Sequence, residues 1–379
     1  IIPSMYTEHG WIANNAKEVK SVVSVPVYAI GRINDTRVAN AIIKSGKADM
    51  VAMGRQSIAD PETPNKAAAG CFADIRTCVG CLHGCDANVN LEQSGTCELN
   101  PIIGHESEAE YQTVMTDSPK NVLVIGAGPA GLEAAIGAAK RGHRVSVYDK
   151  DRWAGGKYRL ASVPPCKGEL GAFIVWQMHE LKKLNVPVIL NTVVTKELVD
   201  SVKPDVIIAA TGTTPVVPRK IPGWDKDIVV LGTDVLSGKA NTGHNVVVIG
   251  GGHAGAETAN HIASYMKNVT IVELQEDIAM DEVDTPRNAL LADLEKNKVR
   301  VCASTSVSEI KDHSVVVSGK FNEEIECDTV VISIGHTPNT ALADELIQAG
   351  YDVRIIGDAV KVGLVGPAVR AGYLTARQI

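Results

Sequence analysis

One glycine-rich segment occurs twice in the chain, and this repeat constrains the fold more than any other feature. Asn121-Val-Leu-Val-Ile-Gly126 recurs as Asn245-Val-Val-Val-Ile-Gly250, at an offset of 124 residues. Each copy reads as a short apolar strand, a glycine turn and a helix of small residues. Two copies of one βαβ unit predict an α/β fold with two Rossmann-like dinucleotide-binding domains.

Each turn has three glycines in the G-x-G-x-x-G spacing, and an acidic residue stands 18 positions after the last glycine. The residues concerned are Gly126, Gly128, Gly131 and Asp149 in the first copy, and Gly250, Gly252, Gly255 and Glu273 in the second. Glycines allow the tight turn and bring backbone N–H groups to a pyrophosphate at the helix N-terminus. The acid ends the second strand, where it accepts hydrogen bonds from ribose hydroxyls. Both copies are therefore predicted to bind a nucleotide.

The acid of the second copy predicts which nicotinamide cofactor is used. Glu273 favours the free 2′-hydroxyl of NAD and repels the 2′-phosphate of NADP. No arginine follows it in Leu274-Gln-Glu-Asp277. We expect a higher kcat/KM with NADH than with NADPH, and equal values would contradict this assignment.

A cluster of four cysteines precedes the repeat. Cys78, Cys81, Cys85 and Cys97 follow the spacing C-x2-C-x3-C-x11-C, and four thiolates so spaced can hold one metal centre. The spacing is nearer to ferredoxins than to the paired cysteine hooks of zinc sites, so we predict an iron–sulfur centre, with structural zinc as the alternative. A thioredoxin-like pair at Cys78 and Cys81 would leave the other two cysteines idle.

The first residues alternate between helix and strand, as parallel sheets require. Helical patterns cover residues 11–23 and 38–45, strand patterns cover 25–30 and 49–53, and a further helix begins near Pro61. The two strands end at Gly31-Arg32 and Gly54-Arg55. The loops after the last two strands of a β/α barrel often bind phosphate, and these pairs suit such a site. The alternative is that both arginines form surface ion pairs.

Composition excludes several classes of function. The net charge of −7 argues against binding to nucleic acid or an anionic membrane, and no apolar run is long enough to cross a bilayer. The remaining cysteines, Cys71, Cys166, Cys302 and Cys327, are scattered, which favours a reducing, cytoplasmic setting. The chain opens on Ile1-Ile2-Pro3 without a methionine or a signal peptide, so we expect it to start within a domain.

These motifs together resemble the 2,4-dienoyl-CoA reductase, or NADH:flavin oxidoreductase, branch of the old yellow enzyme family, a cousin of trimethylamine dehydrogenase. The segments that carry the resemblance are Gly31–Asp35, Ala48–Arg55, Ala59–Pro61 and the cysteine cluster with Cys97-Glu-Leu-Asn-Pro101. The resemblance extends over essentially the whole chain. It implies the C-terminal remnant of a TIM barrel that binds FMN, an iron–sulfur loop segment holding a 4Fe-4S cluster, and FAD and NAD(H) domains.

The implied domains follow each other along the chain. They are the barrel segment at 1–75, the iron–sulfur segment and linker at 76–116, the FAD domain at 117–238 and 336–379, and the NAD(H) domain at 239–335.

The resemblance also implies roles for individual residues. Arg32 and Arg55, with Gly31 and Gly54, would hold the FMN phosphate, and the four clustered cysteines would ligate the 4Fe-4S cluster. Further FAD-binding residues would be Gly155, Gly156, Thr211, Gly212, Gly357 and Asp358. The catalytic proton donors of the family, a Tyr and a His, would lie on barrel strands before Ile1, so no catalytic residue is assigned.

The implied reaction is the NADH-dependent reduction of an activated C=C bond. Electrons would pass from NADH to FAD, through the 4Fe-4S cluster to FMN, and then to a small enone or enoyl-CoA substrate. One alternative is an amine dehydrogenase that donates to an electron-transfer flavoprotein. A second is a nucleotide-binding module without turnover. The sequence leaves open the substrate and whether the protein is a homo-oligomer.

Overall fold

The structure is a computed structural model that describes residues 2–379, so residue 1 of the expected barrel segment lies outside the described residues. Its helices are α1 (Ala13–Lys20), α2 (Thr36–Lys44), α3 (Gly54–Ala59), α4 (Thr63–Ala68), α5 (Asp86–Asn90), α6 (Pro129–Lys140), α7 (Gly156–Ala161), α8 (Leu170–Lys183), α9 (Lys196–Val202), α10 (Gly232–Ser237), α11 (His253–Ala263), α12 (Asp284–Lys296), α13 (Ala341–Gln348) and α14 (Val365–Thr375). Short 3-10 turns occupy Phe72–Asp74, Ala109–Tyr111 and Gly357–Ala359.

The strands are short, as is usual in α/β domains. They are β1 (Tyr28–Ala29), β2 (Met50–Val51), β3 (Asn121–Ile125), β4 (Arg144–Tyr148), β5 (Val188–Ile189), β6 (Val206–Ala209), β7 (Thr213–Pro215), β8 (Val229–Leu231), β9 (Asn245–Ile249), β10 (Asn268–Val272), β11 (Arg300–Cys302), β12 (Thr305–Ile310), β13 (Ser314–Gly319), β14 (Glu323–Glu326), β15 (Thr329–Ile332), β16 (His336–Pro338) and β17 (Val353–Ile355).

The chain divides into two compact units. The first unit comprises the described residues up to Arg159, then Glu169–Gly212 and Pro338–Ile379. The second unit comprises Leu160–Gly168 and Thr213–Thr337. Each copy of the repeat therefore lies in a unit of its own.

The first unit is built on a five-stranded parallel sheet with the order β17-β6-β3-β4-β5. The apolar run of β3 is buried from Val122 to Ile125, as a strand covered on both faces requires. Helix α6 follows this strand, and its small residues allow α8 and α14 to pack closely against it. This arrangement confirms the parallel α/β fold predicted from the first glycine repeat.

The residues before the cysteines form a small parallel layer within the first unit. Strands β1 and β2 pair in parallel, with Tyr28 opposite Met50, and α1 and α2 cover an apolar core that includes Ile33 and Ile42. Asp35 caps α2 by accepting a hydrogen bond from the Arg37 N–H at 2.7 Å. The alternation of helix and strand agrees with the sequence, whereas the one-and-a-half-turn helix α3 is too short to give a periodic pattern.

The second unit repeats the parallel architecture. Its five-stranded sheet has the order β11-β10-β9-β15-β8, and all four neighbouring strand pairs in it are parallel. A three-stranded antiparallel sheet, β12-β13-β14, shares its core through Ile310, Val315 and Val317. No helix formed by residues 2–379 has the length and apolar character needed to span a membrane.

Candidate functional site

Close backbone contacts require glycine at two of the three glycine positions of the first turn. A Cβ at Gly126 would lie 2.3 Å from the Ala210 carbonyl oxygen, and a Cβ at Gly131 would lie 2.0 Å from the Gly126 carbonyl oxygen. Gly126 also has a φ of +108°, which side chains avoid. At Gly128, the N-cap of α6, a Cβ would meet nothing within 4 Å. This open face at a helix N-terminus fits a pyrophosphate.

The second turn follows the same steric pattern. A Cβ at Gly250 would lie 2.3 Å from the Ser333 carbonyl oxygen, and one at Gly255 would lie 2.1 Å from the Gly250 carbonyl oxygen. Gly252 is the N-cap of α11. It differs from Gly128 because the Asp281 carboxylate faces it, 3.5 Å from the position of a Cβ.

The two acids are anchored in the same way beside their turns. Asp149 accepts hydrogen bonds from the N–H groups of Ala127 at 2.6 Å and Asp151 at 2.8 Å. Glu273 accepts from the N–H groups of the equivalent residues, Gly251 at 2.5 Å and Gln275 at 2.8 Å. The copies thus share hydrogen bonds as well as sequence. Each carboxylate oxygen keeps a lone pair for a ribose hydroxyl.

The glycine pair expected to face FAD lies against the first turn. The N–H of Gly155 donates to the Ala127 carbonyl oxygen at 2.7 Å, and a Cβ at Gly156 would lie 3.6 Å from the Gly128 Cα. Both glycines have positive φ angles, 111° and 51°. The structure therefore brings Gly155 and Gly156 to the first turn, and their role in FAD binding stays a prediction.

The remaining residues expected to bind FAD gather at the same place. A Cβ at Gly357 would lie 2.9 Å from the Ala130 Cβ in the first turn of α6. The Asp358 carboxylate lies 2.8 Å from the Lys157 Nζ, a partner that the sequence did not indicate. Thr211 and Gly212 come directly after Ala210, whose carbonyl oxygen packs against Gly126. The Thr211 hydroxyl donates a hydrogen bond to the Asn339 carbonyl oxygen at 2.6 Å.

The four clustered cysteines line one cavity in the first unit. Cys78, Cys81, Cys85 and Cys97 surround it together with residues that include Arg55 and Leu99. All four are free thiols. Within the described residues 2–379, no three His, Cys, Asp or Glu side chains are placed to hold a single metal ion.

The chemistry of these four thiols fits a metal–sulfur group. Burial raises the pKa of the Cys78 thiol to about 11 and that of Cys81 well above its usual range. Each sulfur also accepts a hydrogen bond from a backbone N–H, which favours the thiolate form. For the four cysteines in chain order, the donors are the N–H groups of Gly80, His83, Asp86 and Leu99. Buried thiols with thiolate-stabilising donors are suited to a cation-bearing cluster, because metal binding supplies the missing positive charge.

The two arginines expected to bind the FMN phosphate have protein partners in the structure. Arg32 is buried and donates to the Thr7 carbonyl oxygen and, at 2.6 Å, to the Glu169 carboxylate, while its Nε has no partner among the described residues. The Arg55 guanidinium donates to the Pro3 carbonyl oxygen at 2.7 Å and lines the cysteine cavity.

The two glycines of the expected FMN site differ in their surroundings. Gly31 has a φ of +99° and packs against Trp11, whereas a Cβ at Gly54 would meet nothing within 4 Å. The free Nε of Arg32 and the open Gly54 fit a phosphate, so this assignment stays a prediction.

A buried carboxylate links the cysteine segment to α14. Glu98 follows the cysteine Cys97 directly and is buried. Its Oε2 accepts a hydrogen bond at 2.6 Å from the N–H of Gly366 in the first turn of α14. Nothing in the sequence indicated that Glu98 caps this helix.

A buried ion pair in the second unit was also missed. The Lys167 ammonium contacts the Glu257 carboxylate, and both side chains are buried. Glu257 lies two residues after Gly255 in α11 and matches Glu133 in the first copy. Burial raises the pKa of Glu133, which accepts from the Gln177 amide at 3.1 Å instead of pairing with a lysine. The sequence repeat therefore predicts an acidic residue at this position of both helices, but it does not predict the residue that pairs with it.

Two substitutions in the first turn should separate packing from cofactor binding. Gly131→Ala places a methyl group on the Gly126 carbonyl and should prevent stable folding of the first unit, because backbone cannot move aside cheaply. Gly128→Ala enters open space and should keep the thermal transition while the protein loses FAD. Melting curves and the FAD content of purified protein check both, and equal effects of the two variants would contradict this reading.

Comparison with protein families agrees with this geometry. Residues 120–356 match the pyridine nucleotide-disulphide oxidoreductase family, and residues 3–73 match the NADH:flavin oxidoreductase / NADH oxidase family. Both are oxidoreductase families, and together they confirm the predicted cofactor classes FAD, FMN and NAD(H).

Curated relatives match along the whole chain. An NADH oxidase of Thermoanaerobacter brockii is 39% identical over 388 residues, which cover 100% of this chain and 59% of the relative. A cinnamate reductase of Clostridium sporogenes is 36% identical over 383 residues, which cover 100% of this chain and 56% of the relative. The chain thus spans less than two thirds of the length of these relatives.

Solved structures give the same result. A 2-naphthoyl-CoA reductase in complex with 2-naphthoyl-CoA superposes with a TM-score of 0.96 at 31% identity, over 100% of this chain and 58% of that one. A 6-hydroxypseudooxynicotine amine oxidase of Pseudomonas geniculata superposes with a TM-score of 0.89 at 29% identity, over 99% of this chain and 59% of that one. The chain belongs to the pyridine nucleotide-disulphide oxidoreductase family and carries at its start a segment of the NADH:flavin oxidoreductase / NADH oxidase family, which confirms the predicted kinship with the 2,4-dienoyl-CoA reductase branch.

Proposed function

We propose that the protein catalyses the NADH-dependent reduction of an activated C=C bond in a small enone or enoyl-CoA substrate. The observation that carries this proposal is the cavity lined by four free cysteines in the same unit as an open glycine turn. When bound, the FAD, 4Fe-4S and FMN groups supply hydride acceptance from NADH, single-electron relay and hydride delivery to the substrate.

The residues of the chain hold and orient these groups. The first glycine turn and Asp149, with the residues gathered around them, bind FAD, and the second turn and Glu273 bind NAD(H). The four cysteines ligate the cluster, and Arg32 and Arg55 hold the FMN phosphate. The domain boundaries given from the sequence, from the barrel segment at 1–75 to the NAD(H) domain at 239–335, belong to this proposal, as does a cytoplasmic location.

The relatives support the proposed substrate class. The names of a cinnamate reductase and a 2-naphthoyl-CoA reductase each give a carboxylic acid derivative whose carbonyl group is conjugated to unsaturated carbon. We infer that the substrate here is an α,β-unsaturated acid derivative or enone of this kind.

Anaerobic mixing of the purified protein with NADH tests the proposal. We expect NADH to bleach the flavin absorbance and to produce the electron paramagnetic resonance signal of a reduced cluster. An amine dehydrogenase would respond to amines and not to NADH, and a nucleotide-binding module would respond to neither. An unchanged spectrum with NADH would overturn the proposed function, as would zinc in place of iron and acid-labile sulfide.

A further inference from the structure

The two copies of the repeat differ in what lies in front of the helix that follows the glycine turn. In the first copy the space at Gly128 is open. In the second copy the two carboxylate oxygens of Asp281 lie 3.5 and 3.6 Å from the position of a Cβ on Gly252. Because the turns share sequence, sterics and the anchored acid, the first copy serves as an internal reference for the second.

The Asp281 carboxylate makes two polar contacts with one residue of the second turn. Its Oδ1 accepts a hydrogen bond from the backbone N–H of His253 at 2.7 Å, and its Oδ2 lies 2.8 Å from the His253 Nδ1. His253 is the first residue of α11, so the carboxylate caps the positive end of this helix. Anionic groups of nucleotides are bound at the same position in such turns.

The charges of this pair are mutually stabilised. Burial acts to raise the pKa of Asp281, but the hydrogen bond and charge of His253 outweigh it and lower that pKa to about 2. Burial also acts to lower the pKa of His253, and the hydrogen bond with Asp281, with the charges of Glu257, Asp281 and Glu282, raises it overall. At neutral pH Asp281 is therefore ionised, and the His253 ring is held as a hydrogen-bond donor to it.

The loop that carries Asp281 is anchored by other contacts. The N–H of Ala279 donates to the Gly251 carbonyl oxygen at 2.7 Å, and Ile278 is buried beside this turn. The Arg287 guanidinium donates to the carbonyl oxygens of Ile278 at 2.9 Å and Ala279 at 3.1 Å. The Asp281 side chain, in contrast, is 56% exposed, so it can leave the turn without unfolding the loop.

We propose that, before NAD(H) binds, the Asp281 carboxylate occupies the position of the dinucleotide pyrophosphate at the N-terminus of α11. When NAD(H) binds, His253 exchanges this carboxylate for the pyrophosphate. This inference rests on the proposed NAD(H) site of the second turn. The negative charges of the pyrophosphate and of the Asp281 carboxylate repel each other, so the two groups cannot occupy the N-terminus of α11 at the same time. The free energy needed to displace Asp281 therefore lowers the affinity for the dinucleotide, whereas the contact of His253 with the pyrophosphate raises it.

Calorimetric titration of the purified holoenzyme with NAD⁺ tests the exchange, since the oxidised form binds without turnover. We expect Asp281→Asn to bind NAD⁺ about five- to tenfold more tightly than the wild type, because the competing charge is gone while the side chain keeps its size. His253→Gln should bind about five- to tenfold more weakly. Asp284→Asn is the matched control: it removes an equal charge from an exposed residue at the start of α12 and should leave the affinity unchanged.

The outcomes separate this inference from the proposed function. NAD⁺ affinity that is equal or lower in Asp281→Asn would overturn the inference and leave the nicotinamide site in place. Absence of NAD⁺ binding by the wild type and every variant would overturn both. Thermal melting of each variant confirms that it is folded before affinities are compared.

Discussion

Purified Cys81→Ser protein is expected to contain almost no iron or acid-labile sulfide. Cys81 lines the cavity with the three other cluster cysteines, and its replacement leaves only three thiols there. A serine hydroxyl is not a thiolate and does not replace this ligand. The reduced protein should also lose the paramagnetic signal of the cluster. Iron and sulfide contents relative to bound FAD measure the effect.

Cys71→Ser is the matched control for this experiment. Cys71 is exposed, lies seven residues before Cys78 and does not line the cavity. Its replacement should leave the iron and sulfide contents at wild-type levels. Retention of both elements by Cys81→Ser, or an equal loss in Cys71→Ser, would contradict the ligand assignment.

Breaking the buried ion pair of the second unit should have the second largest effect. Lys167→Met leaves the Glu257 carboxylate buried without a cation, and losses of this kind cost about 3–5 kcal/mol of unfolding free energy. Replacing both residues, as in Lys167→Met with Glu257→Leu, should recover most of the loss, because an apolar pair of similar volume needs no charge compensation. Differential scanning calorimetry measures the transition of the second unit directly.

An exposed pair provides the comparison for this prediction. Lys196 and Asp200 lie 2.7 Å apart on the surface of α9, with side chains 40% and 49% exposed. Lys196→Met should change the free energy of unfolding far less than Lys167→Met does, since water screens exposed pairs. If the two lysine substitutions prove equally mild, the Lys167–Glu257 contact does not stabilise the second unit.

The features predicted correctly from the sequence are those that depend on local pattern. Apolar strands followed by glycine turns identified both parallel sheets, and the structure shows why Gly131 and Gly255 are required: a Cβ at either would fall about 2 Å from a carbonyl oxygen. The 124-residue offset also located two acids that accept equivalent hydrogen bonds. Backbone sterics and strand periodicity leave a direct trace in sequence.

The contacts missed by sequence reasoning join single polar residues that are distant along the chain. Lys167 meets Glu257 across 90 positions, and Asp281 meets His253 across 28. A lone lysine or aspartate in a loop has no periodicity, and its partner is decided by the folded path of the backbone. Arg55 is a similar case, since the pattern that suggested a phosphate ligand did not reveal that it lines the cysteine cavity.

The hydrogen bond from Gly366 to Glu98 has a consequence for how the protein is made. It spans 268 positions, from the residue after the fourth cluster cysteine to the first turn of α14. A nascent polypeptide that ends before Val365 already contains all four cysteines, yet it lacks the helix that Glu98 caps. The native anchoring of the cysteine loop is therefore completed only after translation has passed Gly366.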